Sequence, residues 1–177
     1  MILRKLGIEN KDYALLTLHR PGNVDDKVAL DNQLQIIENI QKQILLVFPV
    51  HPRTKKMIAN FGFEPRLAKM KNLLLIEPVG YTDFIRLLEK AKVVLTDSGG
   101  IQEESTFLQV PCLTLRENTE RPITIREGTN SLVGHNLEQI RQELENILNG
   151  KYKQGRIPPL WDGKTTGRII EVLKKKF

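Results

Sequence analysis

The sequence predicts an α/β fold: a Rossmann-like, doubly wound parallel sheet. Three observations predict it. Short β-rich apolar runs alternate with longer amphipathic stretches along the chain. The run Ile44–Pro49 is apolar almost throughout, as a strand buried on both faces should be. The strand–helix rhythm builds βαβ units, with helices on both faces of one sheet.

The elements follow in order. Tyr13–Leu18 is a strand, and Val28–Lys42 a helix with Leu30, Leu34 and Ile37 at helical spacing. After strand Ile44–Pro49, Pro52 opens a helix to Phe61, because proline is tolerated in a first turn. Leu73–Ile76 is a strand, and Thr82–Ala91 a helix that buries Phe84, Leu87, Leu88 and Ala91. Strand Val93–Thr96 runs into helix Gly100–Leu108, then strand Val110–Leu115. A short strand Asn130–Val133 precedes helix Leu137–Leu148, whose apolar face is Leu137, Ile140, Leu144 and Leu148. Gly150–Gly163 is rich in Gly and Pro and reads as a connector to a last helix, Thr165–Lys176.

Length and composition set the bounds. At 177 residues the prior is one domain with at most an appended element. Residues 1–163 form that domain, and residues 164–177 a helix expected to hang off it. With 40% hydrophobic and 27% charged residues, the chain reads as soluble and globular. The net charge of +6 permits an anionic ligand. The basic residues are spread out apart from Lys174-Lys175-Lys176, and no basic–aromatic stripe indicates nucleic acid. One cysteine, Cys112, excludes an intrachain disulfide framework and a multi-Cys metal site, and its apolar strand makes it core. No apolar run approaches the ~20 residues of a membrane span, and the charged start lacks a signal-peptide core. A cytoplasmic protein is expected, with no membrane and no nucleic-acid partner.

Ligands of such sheets bind beyond the carboxyl ends of the strands, which selects the loops that matter. In Asp97-Ser98-Gly99-Gly100, glycines at a strand-to-helix turn let a ligand approach the backbone. The helix start offers free N–H groups to a phosphate; the plainer reading is a tight turn with Ser98 as N-cap. Glu103 and Glu104 follow about 100° apart on the helix, so only one is expected to face the site, where a carboxylate accepts ribose hydroxyls. Their alternative use is to stabilise the helix start. Arg116-Glu117-Asn118-Thr119-Glu120-Arg121-Pro122 puts charges at the same edge: Arg121 suits a diphosphate, unless the loop is a self-paired surface network. His19, at the end of the first strand, is placed to contact a phosphate or shuttle a proton, or else to cap the sheet edge. His51 leans toward a structural role, and His135 reads as solvated.

Together these loops resemble the C-terminal half of the non-hydrolysing UDP-N-acetylglucosamine 2-epimerases. The matching pieces are Thr17-Leu18-His19-Arg20-x-x-Asn23, Thr96–Glu104 and Arg116–Pro122, with Gly128-Thr129-Asn130, Leu132-Val133-Gly134 and Tyr81-x-x-Phe84. The resemblance spans nearly the whole chain. It implies the C-terminal half of a glycosyltransferase-B (GT-B) type fold. It implies that Ser98, Gly99 and Gly100 bind the UDP diphosphate, that Glu104 binds the ribose, and that Arg121 and His19 approach the phosphates. Phe84 then marks the segment whose backbone reads the uracil. The implied chemistry interconverts UDP-GlcNAc and UDP-ManNAc by eliminating and re-adding UDP, with no metal and no cofactor. His19 is the catalytic candidate on this chain; the acid/base carboxylates belong mainly to an N-terminal domain, on which the final helix packs. A homodimer is expected. Ser105, Gln109 and Ile123 depart from the family pattern. Three other readings stay open: a hydrolysing 2-epimerase releasing ManNAc and UDP, a glycosyltransferase-like domain, and a non-catalytic UDP-sugar-binding module.

Overall fold

The structure, a computed structural model, describes residues 2–177. Its first half runs α1 (Ile2–Lys5), β1 (Tyr13–Thr17), α2 (Pro21–Val24), α3 (Lys27–Ile40), β2 (Leu45–Pro49), α4 (Pro52–Asn60), α5 (Glu64–Ala68), β3 (Leu73–Ile76) and α6 (Tyr81–Lys90). The second half runs β4 (Val93–Thr96), α7 (Gly99–Leu108), β5 (Cys112–Thr114), α8 (Pro122–Arg126), β6 (Asn130–Leu132), α9 (Leu137–Leu148) and α10 (Thr165–Lys176).

All six strands are parallel, in the order β3-β2-β1-β4-β5-β6. Alternating side chains feed two cores, one on each face. Ala14, Leu16, Leu46, Phe48, Val93, Leu95 and Leu113 face α3, α4 and α9, where Leu34, Ile37, Ile58, Ile140 and Leu144 meet them. Tyr13, Leu15, Val47, Val94 and Cys112 face the other way, against Ile2, Leu3, Leu87 and Leu88. The doubly wound sheet is therefore as expected. Cys112 is fully buried, and desolvation pushes its thiol up to about 11.

The differences are local. The β5 strand is shorter than Val110–Leu115, because Val110 N–H donates back to Ser105 O and closes α7, and Pro111 has no N–H. The four- and five-residue helices α1, α2, α5 and α8 are too short to show a period. The connector starts well anchored. The Tyr152 hydroxyl lies 2.7 Å from Ser131 Oγ and donates to Thr129 O, and Gly155 lies so close to Gly128 that a Cβ would sit 2.5 Å from its carbonyl carbon. Beyond it, α10 has no buried residue, and Ile169, Ile170, Val172 and Leu173 are exposed. Among the described residues no helix is long and apolar enough to cross a membrane.

Candidate nucleotide-binding site

Strand order reverses between β1 and β4, the switch point beyond whose carboxyl ends sheets of this kind bind their ligands. Thr17 and Thr96, paired in register at the ends of these two strands, share a hydrogen bond of 2.6 Å between their hydroxyls. The next residue after β4 is Asp97, a fully buried carboxylate. It accepts from the backbone N–H of His19 (3.0 Å) and of Arg20 (2.9 Å), and from Asn23 Nδ2 (3.1 Å). Its other oxygen lies 3.0 Å from His19 Nδ1. Burial alone would raise this carboxyl, but the His19 side chain and the two amides outweigh it and hold the group below its ordinary value. Asp97 thus ties the His19 loop to the base of the glycine turn. Sequence reading missed it, although a charged residue directly after a central strand has to be partnered.

The turn itself is open. Ser98 occupies the N-cap position of α7 with φ −90° and ψ 129°, but its hydroxyl makes no cap bond. The plain-cap reading of Ser98 is therefore met in position and not in hydrogen bonding. Three other helices that start at this edge have filled caps: Asp26 accepts from Val28 and Ala29 N–H, Asn136 from Gln139 N–H, and His51 from Arg53 N–H. His51 is thus a helix cap, its ring centroid 5.5 Å from that of His19. His135, though exposed, pairs with the buried Gln33 at 2.8 Å. Neither Gly99 nor Gly100 has a positive φ. A Cβ on Gly99 would meet Glu120 Oε2 at 3.8 Å and Arg121 Cγ at 3.9 Å, and one on Gly100 only Ser98 Oγ at 3.9 Å. These are ordinary contacts, so the protein's own packing does not demand glycine at either place.

Those contacts also show that the Arg121 loop lies against the turn. A buried polar relay holds it there. Thr119 Oγ1 donates to Gln102 Oε1 (2.5 Å) and accepts from Arg121 N–H (2.9 Å). Asn130 Nδ2 reaches Thr124 Oγ1 at 3.0 Å, Thr124 Oγ1 donates to Arg121 O, and Thr114 Oγ1 donates to Asn130 Oδ1. Gln102, Thr114, Thr124 and Asn130 are all fully buried. The self-paired alternative holds for half of the loop: Arg116 binds both carboxylate oxygens of Glu120 at 2.8 Å. The His19 loop is bonded to Asp97 on one side of the turn and the Arg121 loop touches Gly99, so both loops adjoin the same turn. Arg121 leaves that network: its Nε lies 2.9 Å from Glu103 Oε1, in ion-pair range but outside hydrogen-bond geometry.

Glu103 and Glu104 take different partners. Both line one cleft of about 470 Å³, between α6 and α7. The 100° step separates them on the helix, but Arg121 arrives from another loop to meet the first. Glu104 Oε2 is buried without a partner, and desolvation raises this carboxyl, opposed by the nearby Tyr81 phenol and reinforced by Glu103. The helix α6 is likewise uncapped at Gly80. Phe84 packs on the core, and its N–H donates to Gly80 O, so the amides of that segment without helical acceptors belong to Tyr81, Thr82 and Asp83. The structure thus brings His19, Ser98, Gly99, Gly100, Glu104 and Arg121 to one sheet edge, with Phe84 one turn into the adjoining helix.

Comparison with known proteins points the same way. The UDP-N-acetylglucosamine 2-epimerase family model matches residues 1–174. The UDP-N-acetylglucosamine 2-epimerase of Methanocaldococcus jannaschii is 46% identical over 166 residues, covering 92% of this chain and 44% of the relative. A crystal structure of the M. jannaschii enzyme in complex with UDP-GlcNAc and UDP superposes with a TM-score of 0.86 at 43% identity, over 98% of this chain and 48% of that one. The Neisseria meningitidis UDP-GlcNAc 2-epimerase bound to UDP-GlcNAc gives 0.79 at 30% identity, over 98% and 52%. The chain therefore belongs to the UDP-N-acetylglucosamine 2-epimerase family, and it spans about half the length of the curated relatives it matches.

Proposed function

We propose that this member of the family is the UDP-binding half of an enzyme that interconverts UDP-GlcNAc and UDP-ManNAc. The observation that carries the reading is the turn Ser98-Gly99-Gly100. It sits at the switch point, its helix is uncapped, and its glycines answer to no steric need of the protein itself. A diphosphate lying on the free N–H groups supplies that need and gains the helix dipole.

In this reading the proton at C2 is removed and the C1–O bond breaks, with the electron pair leaving on UDP and a glycal-like intermediate remaining. Protonation of the opposite face at C2 and return of UDP give the epimer. The work of this chain is to stabilise charge on the departing diphosphate. Arg121, released from Glu103, supplies a forked donor. His19, with Nδ1 engaged by Asp97, offers Nε2. Glu104, whose buried oxygen has no partner, accepts the ribose hydroxyls. The exposed apolar residues of α10 support its packing on an N-terminal domain that brings the acid/base groups.

Calorimetry with UDP tests the binding claim; absence of binding overturns it. Mixing the chain with a separately expressed N-terminal half and UDP-GlcNAc tests the reaction. Epimerisation only on mixing is the expected result. Full activity of the chain alone would contradict the division of labour, and release of free ManNAc would favour the hydrolysing chemistry.

A further inference from the structure

The cleft beside Glu104 has a wall that the family motifs do not account for: Trp161, the chain's only tryptophan. Tyr81 and Ile85 of α6 form one side, Phe107 and Leu108 of α7 the other, and Trp161 reaches in from the connector. The cleft is largely apolar, with two carboxylates at its upper end. The segment carrying Trp161 is built to hold it. Leu160 stands in the left-handed region at φ +70°, unusual for a branched residue. Arg168 clamps this bend, reaching Leu160 O at 2.8 Å and both oxygens of Asp162 at 3.0 Å. A strained turn held by a bidentate ion pair, presenting a half-buried tryptophan to a cleft, is more than a linker requires.

The spacing along α7 connects this cleft to the glycine turn. From Gly100 to Glu104 the helix rises about 6 Å. A nucleoside attached to a diphosphate on the turn therefore arrives at Glu104, where the aromatic walls begin. We propose that Trp161 closes the nucleoside end of the site, packing against the base or ribose of a bound uridine nucleotide. This rests on the diphosphate reading of the glycine turn and goes beyond it by making the connector part of the binding site.

The test uses the full chain and three probes: UDP, uridine and pyrophosphate, each followed by calorimetry and by tryptophan emission. Trp161 emission is expected to change saturably with UDP, and with uridine at higher concentration, but not with pyrophosphate. Trp161→Ala is expected to weaken UDP roughly tenfold and leave pyrophosphate unchanged, with Trp161→Phe restoring most of the loss. Calorimetric UDP binding with silent emission and an unaffected Trp161→Ala variant overturns the role of Trp161 while leaving the diphosphate reading intact. Absence of heat with both UDP and pyrophosphate overturns the diphosphate reading, and this inference with it. Should Trp161→Ala fail to fold, the emission of the wild-type chain decides alone.

Discussion

Five helices of nine or more residues start at the carboxyl edge of the sheet, and they fall into two groups. The first turns of α3, α4 and α9 are closed by their own caps, Asp26, His51 and Asn136. Those of α6 and α7 are not, although Ser98 sits at the cap position with a suitable hydroxyl. Helix starts normally find a side chain or water for their free N–H groups. The capped helices are finished within the protein. The two uncapped ones adjoin the switch point and the Glu104 cleft, and the proposed nucleotide reading gives their free N–H groups a partner.

The largest break in this comparison removes the anchor of the open turn. Asp97→Ala strips the acceptor from two backbone amides, a side-chain amide and His19, and is expected to cost roughly 3–5 kcal/mol, read by urea denaturation. The pH signature follows from the direction of the Asp97 shift. Its folded value lies below the ~3.9 of an unfolded aspartate, so the unfolded chain takes up the proton first. The stability it contributes is complete above that unfolded value and lost as pH falls through the folded one. Asp97→Asn is expected to flatten that part of the acid limb.

Next in size is the removal of the arginine proposed to bind the diphosphate. Arg121 is half-exposed, and its ion pair with Glu103 is worth little. Arg121→Ala is expected to leave the unfolding midpoint nearly unchanged and to weaken UDP by about 2 kcal/mol, roughly thirtyfold by calorimetry. A smaller, crossed pair sharpens the contrast between the helices. Asp26→Ala should cost about 1 kcal/mol of stability and no affinity, because Asp26 caps. Ser98→Ala should do the reverse; if it destabilises as much as Asp26→Ala, the open-turn reading fails. The smallest effect is a gain. Gln109 ends α7 at φ 58°, a position that favours glycine, and partly compensates by a side-chain bond to Thr106 O. Gln109→Gly is expected to add about 1 kcal/mol, or ~2–4 °C in Tm, without touching UDP affinity.

Much of this was legible in the sequence because hydrophobic period is a local property. The strands Leu73–Ile76 and Val93–Thr96 and the helices Leu137–Leu148 and Thr165–Lys176 fall where the pattern puts them. The glycine turn and its flanking loops were legible because the sheet rule says where to look. What was not legible depends on residues far apart in the chain. Gln102 reads as one polar residue in a motif, yet it holds a loop seventeen residues away. Asn130 reads as a strand start, yet it is the hub between β5, β6 and α8. Helical geometry does not choose between Glu103 and Glu104, and the ion pair that Glu103 makes depends on Arg121 of another loop.

The central claim is that the turn before α7 has its shape for a diphosphate and not for the protein. Gly100→Ala tests it most directly, because only Ser98 Oγ comes within 4 Å of the added methyl group. The account predicts a variant at least as stable as wild type, since alanine favours the helix, with UDP affinity reduced tenfold or more. A stable variant that binds UDP as tightly as wild type would contradict it.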